Sequence, residues 1–258
     1  MRVNKLFEHQ QRIKNDDTEL ETALADLDTV LFAKIHSQTS DGDKRALLAI
    51  QNYMRIRRSA YVYLEIGSYY GGSLQPHIID PKCSRIYSID KRPGISPDNR
   101  FPEGHVYEDE VKIQMIKNLK ELGGNMEKLI IFDNDAAEID PALISEKPDL
   151  CFIDAEHTDV AVESDFNFCR KVLNKDGIIL FHDAFVVRDG IRRIMNRLKV
   201  GGVNIQGYHL NSSIYAIVFG EHPLLEAYFS THGLQRQLMP LERITWVLPN
   251  WIRRLWKR

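Results

Sequence analysis

Leu20, Leu24, Leu27, Val30 and Leu31 recur at spacings of three and four, and Leu47, Ile50 and Met54 repeat the interval. That period belongs to helices that bury one face. Ser40 and Asp41 stand before the second run as an N-cap, predicting a helix that ends near Arg58. From Tyr61 the period changes. Short apolar runs at 61–67, 85–90, 128–135, 149–157, 177–185, 203–210 and 213–220 alternate with helical segments at 72–80, 108–122, 136–146, 159–173 and 188–199. Strands apolar on both sides, interleaved with helices, imply a mostly parallel sheet covered on both faces. Only Asn211 and Ser212 separate the last two runs, so these form an antiparallel hairpin. The fold class predicted is α/β: a Rossmann-like, doubly wound, seven-stranded, mostly parallel sheet with a C-terminal antiparallel hairpin, plus N-terminal helices. The expected division is a helical cap at 1–60, the sheet domain at 61–220 and a tail at 221–258. In such sheets a ligand lies beyond the carboxyl ends of the strands, where their order reverses.

The residues just after each strand therefore carry the chemistry. After the first run stands EIGSYYGGS, residues 65–73. A dinucleotide fingerprint G-x-G-x-x-G needs glycine at position 69, where this chain has Tyr69, so a diphosphate-bearing dinucleotide is disfavoured. Asp90 follows the second strand, placed to accept both hydroxyls of a ribose. Asp135 and Ala136 follow the third, an acid and a small residue that suit an adenine ring. Together they describe an adenosine with a tail that is not a phosphate.

Composition changes the picture little. The chain is 43% hydrophobic and 27% charged, with a formal net charge of -2. That is an ordinary globular composition, with no basic excess to attract nucleic acid. Cys83, Cys151 and Cys169 form no CxxC pair, which points to a reducing compartment rather than a disulfide or zinc framework. No run approaches the ~18 apolar residues of a membrane span. A cytoplasmic location is the expectation.

The segment 63–220 resembles the class I S-adenosylmethionine-dependent methyltransferases. YLEIGSYYGGS is similar to the first motif of catechol O-methyltransferase-like enzymes. FIDAEH and GIILFHDAF resemble the bacterial group of macrocin-type sugar O-methyltransferases and cephalosporin-hydroxylase-like proteins. The resemblance implies that Gly67, Ser68 and Gly71 line the methionine part of the cofactor, with Tyr69 in the same turn and Ser73 near the carboxylate. Glu65 would anchor the loop through its amides and the cofactor's ammonium. Asp90 would hold the ribose, Asp135 and Ala136 would face the adenine, and Asp154 would border the reacting end. A non-catalytic S-adenosylmethionine-binding accessory protein of a glycan or secondary-metabolite pathway is the alternative reading.

Two stretches carry the reaction. Asp154 ends the fourth strand and Asp183 the fifth, and neighbouring strands lie about 5 Å apart. The two carboxylates can share a divalent cation such as Mg²⁺, which would lower the pKa of the acceptor hydroxyl. His157, three residues after Asp154, is the expected general base, with Asp154 beside it. In metal-dependent sugar methyltransferases the residue before the last acid is itself acidic. Here it is His182, which as a third ligand favours a softer ion. The loop 91–108, rich in proline and glycine, is a candidate lid. Trp246, Trp251 and Trp256, interleaved with Arg253, Arg254, Lys257 and Arg258, suit a docked or dimer-forming helix or a peripheral membrane contact. The partners expected are a small-molecule acceptor with a hydroxyl group and, by the resemblance, further copies of the chain in a homo-oligomer.

Overall fold

Every residue of the first strand, β1 (Tyr61–Ile66), is buried. Tyr61 and Tyr63 enter one hydrophobic cluster, and Val62, Leu64 and Ile66 enter another. Successive side chains of a strand point to opposite faces, so an unbroken apolar run is a strand covered twice. The computed structural model describes residues 17–92, 95–98, 100–106, 110–210 and 212–234.

Strand β2 (Cys83–Ile89) is followed by a small separate ribbon, β3 (Ile95–Asp98) paired antiparallel with β4 (Phe101–Val106). The main sheet continues with β5 (Leu129–Phe132), β6 (Leu150–Ile153) and β7 (Ile178–Phe181), all in parallel pairings. The hairpin β8 (Ile205–His209) and β9 (Tyr215–Phe219) closes one edge, with β9 antiparallel to β7. The strand order β5-β2-β1-β6-β7-β9-β8 bears out the doubly wound, seven-stranded sheet. The chain runs outward from β1 to β5 and returns through β6 on the other side of β1. The order therefore reverses between β1 and β6, and the crevice lies beyond their carboxyl ends.

Helices α1 (Asp17–Ala25), α2 (Asp41–Arg57), α3 (Gln75–Ile79) and α4 (Val111–Leu122) cover the face that holds Tyr61 and Tyr63. Helices α5 (Asp159–Val172) and α6 (Arg188–Val200) cover the other. The short α7 (Leu225–Thr231) returns to the first face, where Leu225 and Phe229 join the cluster of α1 and α2. Helix α2 starts with a capping box. Ser40 Oγ accepts from the Asp43 amide at 3.2 Å, and Asp43 Oδ2 accepts from the Ser40 amide at 2.9 Å.

Two segments differ from expectation. Residues 136–146 are not one helix but two 3-10 turns, Ala136–Glu138 and Pro141–Leu143. Asp135 accepts from the Ala137 amide and Asp140 from the Ala142 amide, both at 2.9 Å. Each aspartate starts a new turn, and the Pro141 ring cannot follow a helical carbonyl four residues back. The loop 91–108 is the β3–β4 ribbon rather than a bare excursion. The tryptophan-rich tail lies outside the described residues. Among those described, no helix is long and apolar enough to cross a membrane, and all three cysteines are buried and unpaired.

Candidate active site

The glycine turn after β1 is shaped by the protein's own backbone. Gly67 has φ +93, and a Cβ there would lie 2.1 Å from the Asp154 carbonyl oxygen. A Cβ on Gly72 would lie 2.4 Å from the His36 carbonyl oxygen. These glycines let the β6 exit and the segment before α2 pack against the turn. Tyr69 adopts φ 43, and its amide donates to Asp90 Oδ2 at 2.9 Å, which ties the turn to the end of β2. Ser68 Oγ accepts from Ser88 Oγ at 2.9 Å, and the Gly71 amide donates to the Ser68 carbonyl.

Glu65 departs from its expected role. It is fully buried, and its two oxygens accept from Tyr63 Oη and Ser73 Oγ, each at 2.6 Å. Glu65 and Ser73 thus hold each other inside the wall rather than presenting themselves to a ligand. Burial pushes the Glu65 carboxyl up to about 8, against the opposing bonds from Ser73 and Tyr63.

Beyond the turn an open cleft of about 730 Å³ runs past Ile66, Gly67, Asp90, Asn134, Ala136 and Ala155, with Asp135 and Asp165 also in its lining. Asp90 has one oxygen engaged by Tyr69, while no hydrogen bond among the described residues engages Oδ1. Asp135 caps its own turn and lines the cleft as well. An acid, Asp90, stands at the end of β2, and the small side chains of Ala136 and Ala155 follow β5 and β6, an arrangement compatible with an adenosine.

Adjoining the cleft, the exits of β6 and β7 bring four expected residues together. His182 Nδ1 lies 2.9 Å from Asp154 Oδ1, and His157 Nε2 lies 3.6 Å from that same oxygen and 3.3 Å from Asp183 Oδ2. Asp183 turns toward them from a left-handed backbone, φ 46. The β3–β4 ribbon supplies two further residues. His157 Nδ1 meets Asp98 Oδ2 at 2.9 Å, and Arg100 bridges Asp98 Oδ2 at 2.7 Å and Asp183 Oδ2 at 2.8 Å. Arg100 Nη2 is also 3.1 Å from His157 Nδ1. The Asp98 carboxylate only accepts, so Nδ1–H is assigned to it at 2.9 Å and the Arg100 approach is not a hydrogen bond to Nδ1; in the neutral ring this leaves the Nε2 lone pair toward the gap.

Charge balances within this group. The hydrogen bonds from Arg100 hold the Asp98 carboxyl well below the usual carboxylate range. Burial opposes protonation of His157, but the bond and charge from Asp154, with Asp183 and Asp98, raise its pKa. Burial likewise opposes the charge on His182, yet Asp154, Asp43 and Asp183 outweigh it and push the imidazole up to about 11. Asp43 reaches His182 Nε2 at 3.6 Å from the start of α2, while its Oδ1 accepts from the Ser213 amide and hydroxyl.

Asp154, His157 and His182 each offer one ligand atom within 4.8 Å of the other two. Both His182 nitrogens and His157 Nε2 are buried, yet lack a partner in hydrogen-bond geometry among the described residues. With His157 Nε2 kept for proton transfer, Asp154 and His182 are the pair that suits a divalent cation, and an imidazole ligand favours a later first-row ion over Mg²⁺. Asp183, expected as a ligand, is engaged by Arg100 instead. Asp98, Arg100 and Asp43 were not singled out by the sequence as site residues. The capping box is the only local trace of Asp43, and no local signal marks the other two.

A doubly wound sheet with a cleft at its switch point, flanked by an acid–base cluster, is the arrangement that the sequence resemblance to class I S-adenosylmethionine-dependent methyltransferases led one to expect. Residues 64–184, just under half of the chain, match the family model described as a methyltransferase domain. Among solved structures, the calicheamicin methyltransferase CalS11 superposes with a TM-score of 0.54 at 14% identity, over 83% of this chain and 93% of that one. The O-methyltransferase TomG of Streptomyces achromogenes, in complex with S-adenosylmethionine, gives 0.50 at 15% identity, over 71% and 81%. At such identities the likeness is one of fold. No curated protein matches the chain. Over residues 64–184 the chain is thus similar to a methyltransferase domain, and it shares the fold of CalS11 and TomG.

Proposed function

We propose that the protein methylates a hydroxyl of a sugar or other small metabolite. The observation that carries this reading is His157. Its Nδ1 is fixed by Asp98, and its unpartnered Nε2 faces the gap between Asp154 and Asp183. Ala155 and Glu156, which stand between Asp154 and His157 in the chain, line the cleft.

S-adenosylmethionine, bound in the cleft, supplies a methyl group activated on a sulfonium and leaves as the thioether. Gly67, Asp90, Asn134 and Ala136 would hold it. His157 Nε2 takes the proton of the acceptor hydroxyl as the new C–O bond forms and the S–CH₃ bond breaks. Asp98 stabilises the imidazolium that results. Asp154 and His182 are the proposed ligands of a divalent cation; such a cation would lower the pKa of the acceptor hydroxyl. The printed descriptions of CalS11 and TomG, which associate them with calicheamicin and tomaymycin, support a small-molecule acceptor.

The test is a calorimetric titration with S-adenosylmethionine, followed by methyl transfer to a panel of hydroxylated acceptors. Micromolar cofactor binding and a transfer abolished by His157→Ala are expected. Tight cofactor binding with no transfer to any hydroxyl would count against the reading.

A further inference from the structure

Four histidines are buried among the described residues: His77, His182, His209 and His222. Three have polar neighbours. His77 Nδ1 lies 2.9 Å from Tyr61 Oη, and His182 Nδ1 lies 2.9 Å from Asp154 Oδ1. His222 meets Tyr53 Oη at 3.2 Å through Nδ1, and the Asp176 and Phe219 carbonyls at 3.1 Å through Nε2. His209 has no such neighbour. The residue is 5% exposed, and both ring nitrogens are buried without a hydrogen-bond partner among the described residues. An imidazole stripped of water at both nitrogens costs free energy that an apolar ring in the same place would not, so its retention calls for a ligand.

His209 ends β8 opposite Tyr215 of β9, which in turn lies opposite Phe181, the last residue of β7. His182 and Asp183 of the acid–base group follow Phe181 directly. The Ala184 amide then donates to the Ser213 carbonyl at 2.9 Å, which ties the exit of β7 to the hairpin. Phe185 comes next, and its ring covers that of His209, with centroids 4.7 Å apart and planes at 54°. Phe185 itself is 57% exposed. An apolar ring thus stands beside the reacting groups, with an unsatisfied donor and acceptor beneath it.

We infer that Phe185 and His209 determine which acceptor is used: a ring of the acceptor packs on Phe185, and a hydroxyl other than the one methylated hydrogen-bonds to His209. Two strand spacings, about 10 Å, separate the end of β7 from the end of β8, so the hydroxyl at His209 is not the one at His157. Burial lowers the His209 pKa, which keeps the ring neutral with one donor and one acceptor nitrogen. A hydroxyl both donates and accepts, so it pairs with either nitrogen in either tautomer. A charged group finds no counter-charge on a neutral ring. Exposed side chains change rotamer in ps–ns, so Phe185 can turn aside to admit the acceptor. The inference rests on the proposed transfer to a hydroxyl.

The experiment gives the full chain S-adenosylmethionine and a panel of methyl hexosides and dihydroxybenzenes, then compares the best acceptor with its singly deoxygenated analogues. In the wild type, removing one hydroxyl other than the methylated one is expected to lower kcat/KM at least about tenfold, because the buried imidazole is then left unpaired. His209→Phe keeps a ring of similar bulk without nitrogens. It should lose that discrimination while its calorimetric affinity for S-adenosylhomocysteine stays the same. Phe185→Ala should raise the acceptor KM with kcat nearly unchanged. A second readout needs no acceptor. Diethyl pyrocarbonate acylates accessible neutral imidazoles, and peptide mapping should find His209 protected in the wild type and modified in Phe185→Ala. Wild-type transfer indifferent to every deoxygenation, equal discrimination in His209→Phe, or an unmodified His209 in Phe185→Ala would overturn the inference and leave the methyl transfer standing. Cofactor binding with no transfer to any member of the panel would overturn the proposed reaction, and the inference with it. Phe185→Ala, at an exposed position, keeps the test decisive if His209→Phe fails to fold.

Discussion

Asp98 and His157, 59 positions apart, meet at 2.9 Å, and their backbones are joined by an isolated bridge. This contact converts a surface ribbon into part of the acid–base group. Asp98 fixes the ring so that Nε2, not Nδ1, faces the gap. Asp98→Asn should lower kcat about 10- to 100-fold, part of what a positioned base contributes. An amide that donates to Nδ1 leaves the proton on Nε2, where it blocks proton removal. Binding of S-adenosylhomocysteine should stay unchanged, which calorimetry checks.

Gly67→Ala should destabilise the protein by at least about 3 kcal/mol, since left-handed strain adds to a backbone clash. The clash is with the Asp154 carbonyl oxygen, 2.1 Å from the added Cβ. Gly202 provides the control: it has φ +69 with nothing within 4 Å of a Cβ. There alanine should cost about 1–2 kcal/mol, from handedness alone. Equal losses of denaturation free energy at the two positions would sink this account.

Glu65 makes stability depend on pH. Its folded carboxyl stands at about 8 against an ordinary 4.5, so the native state holds a proton that the unfolded chain releases. The associated stabilisation is fully present below 4.5 and is lost as pH rises through 8, a change of about 5 kcal/mol. Glu65→Gln should flatten urea-denaturation free energy across that window. An unchanged slope would show that another group carries it.

Chelation should abolish methyl transfer if Asp154 and His182 hold a cation, and Mn²⁺ should restore it better than Mg²⁺ because imidazole nitrogen is a ligand. His182→Ala should weaken Mn²⁺ binding at least about tenfold while cofactor affinity stays the same. Full activity after exhaustive chelation would instead leave Arg100 and the two histidines, among the described residues, as the counter-charges to Asp154 and Asp183.

Arg100 tests the ribbon. The side chain is 40% exposed, so its pairs with Asp98 and Asp183 should contribute under about 1 kcal/mol to stability. Arg100→Ala should therefore leave the melting temperature nearly unchanged but raise KM for the acceptor. A large drop in melting temperature would make the ribbon a structural element instead.

Much of the architecture is legible in the chain itself. The apolar run Tyr61–Ile66 implies a strand buried on both sides, Ser40 marks the start of α2, and the residues ending each strand name Asp90, Asp154 and Asp183 as candidates. These follow from local period and capping, which depend on a residue's near neighbours. What covers Gly67 does not. The turn was open to being read as a ligand cradle, and only the fold shows the Asp154 carbonyl resting on it. Nor could local pattern pair His157 with Asp98 and Arg100 or link Asp43 to His182. Each depends on segments far apart in sequence arriving at one sheet edge, and no periodicity within either segment encodes that meeting. The sequence thus determined which elements form and which strand ends carry chemistry. Only the tertiary structure decided which charges face one another, because a side chain's partner is set by where the chain crosses itself.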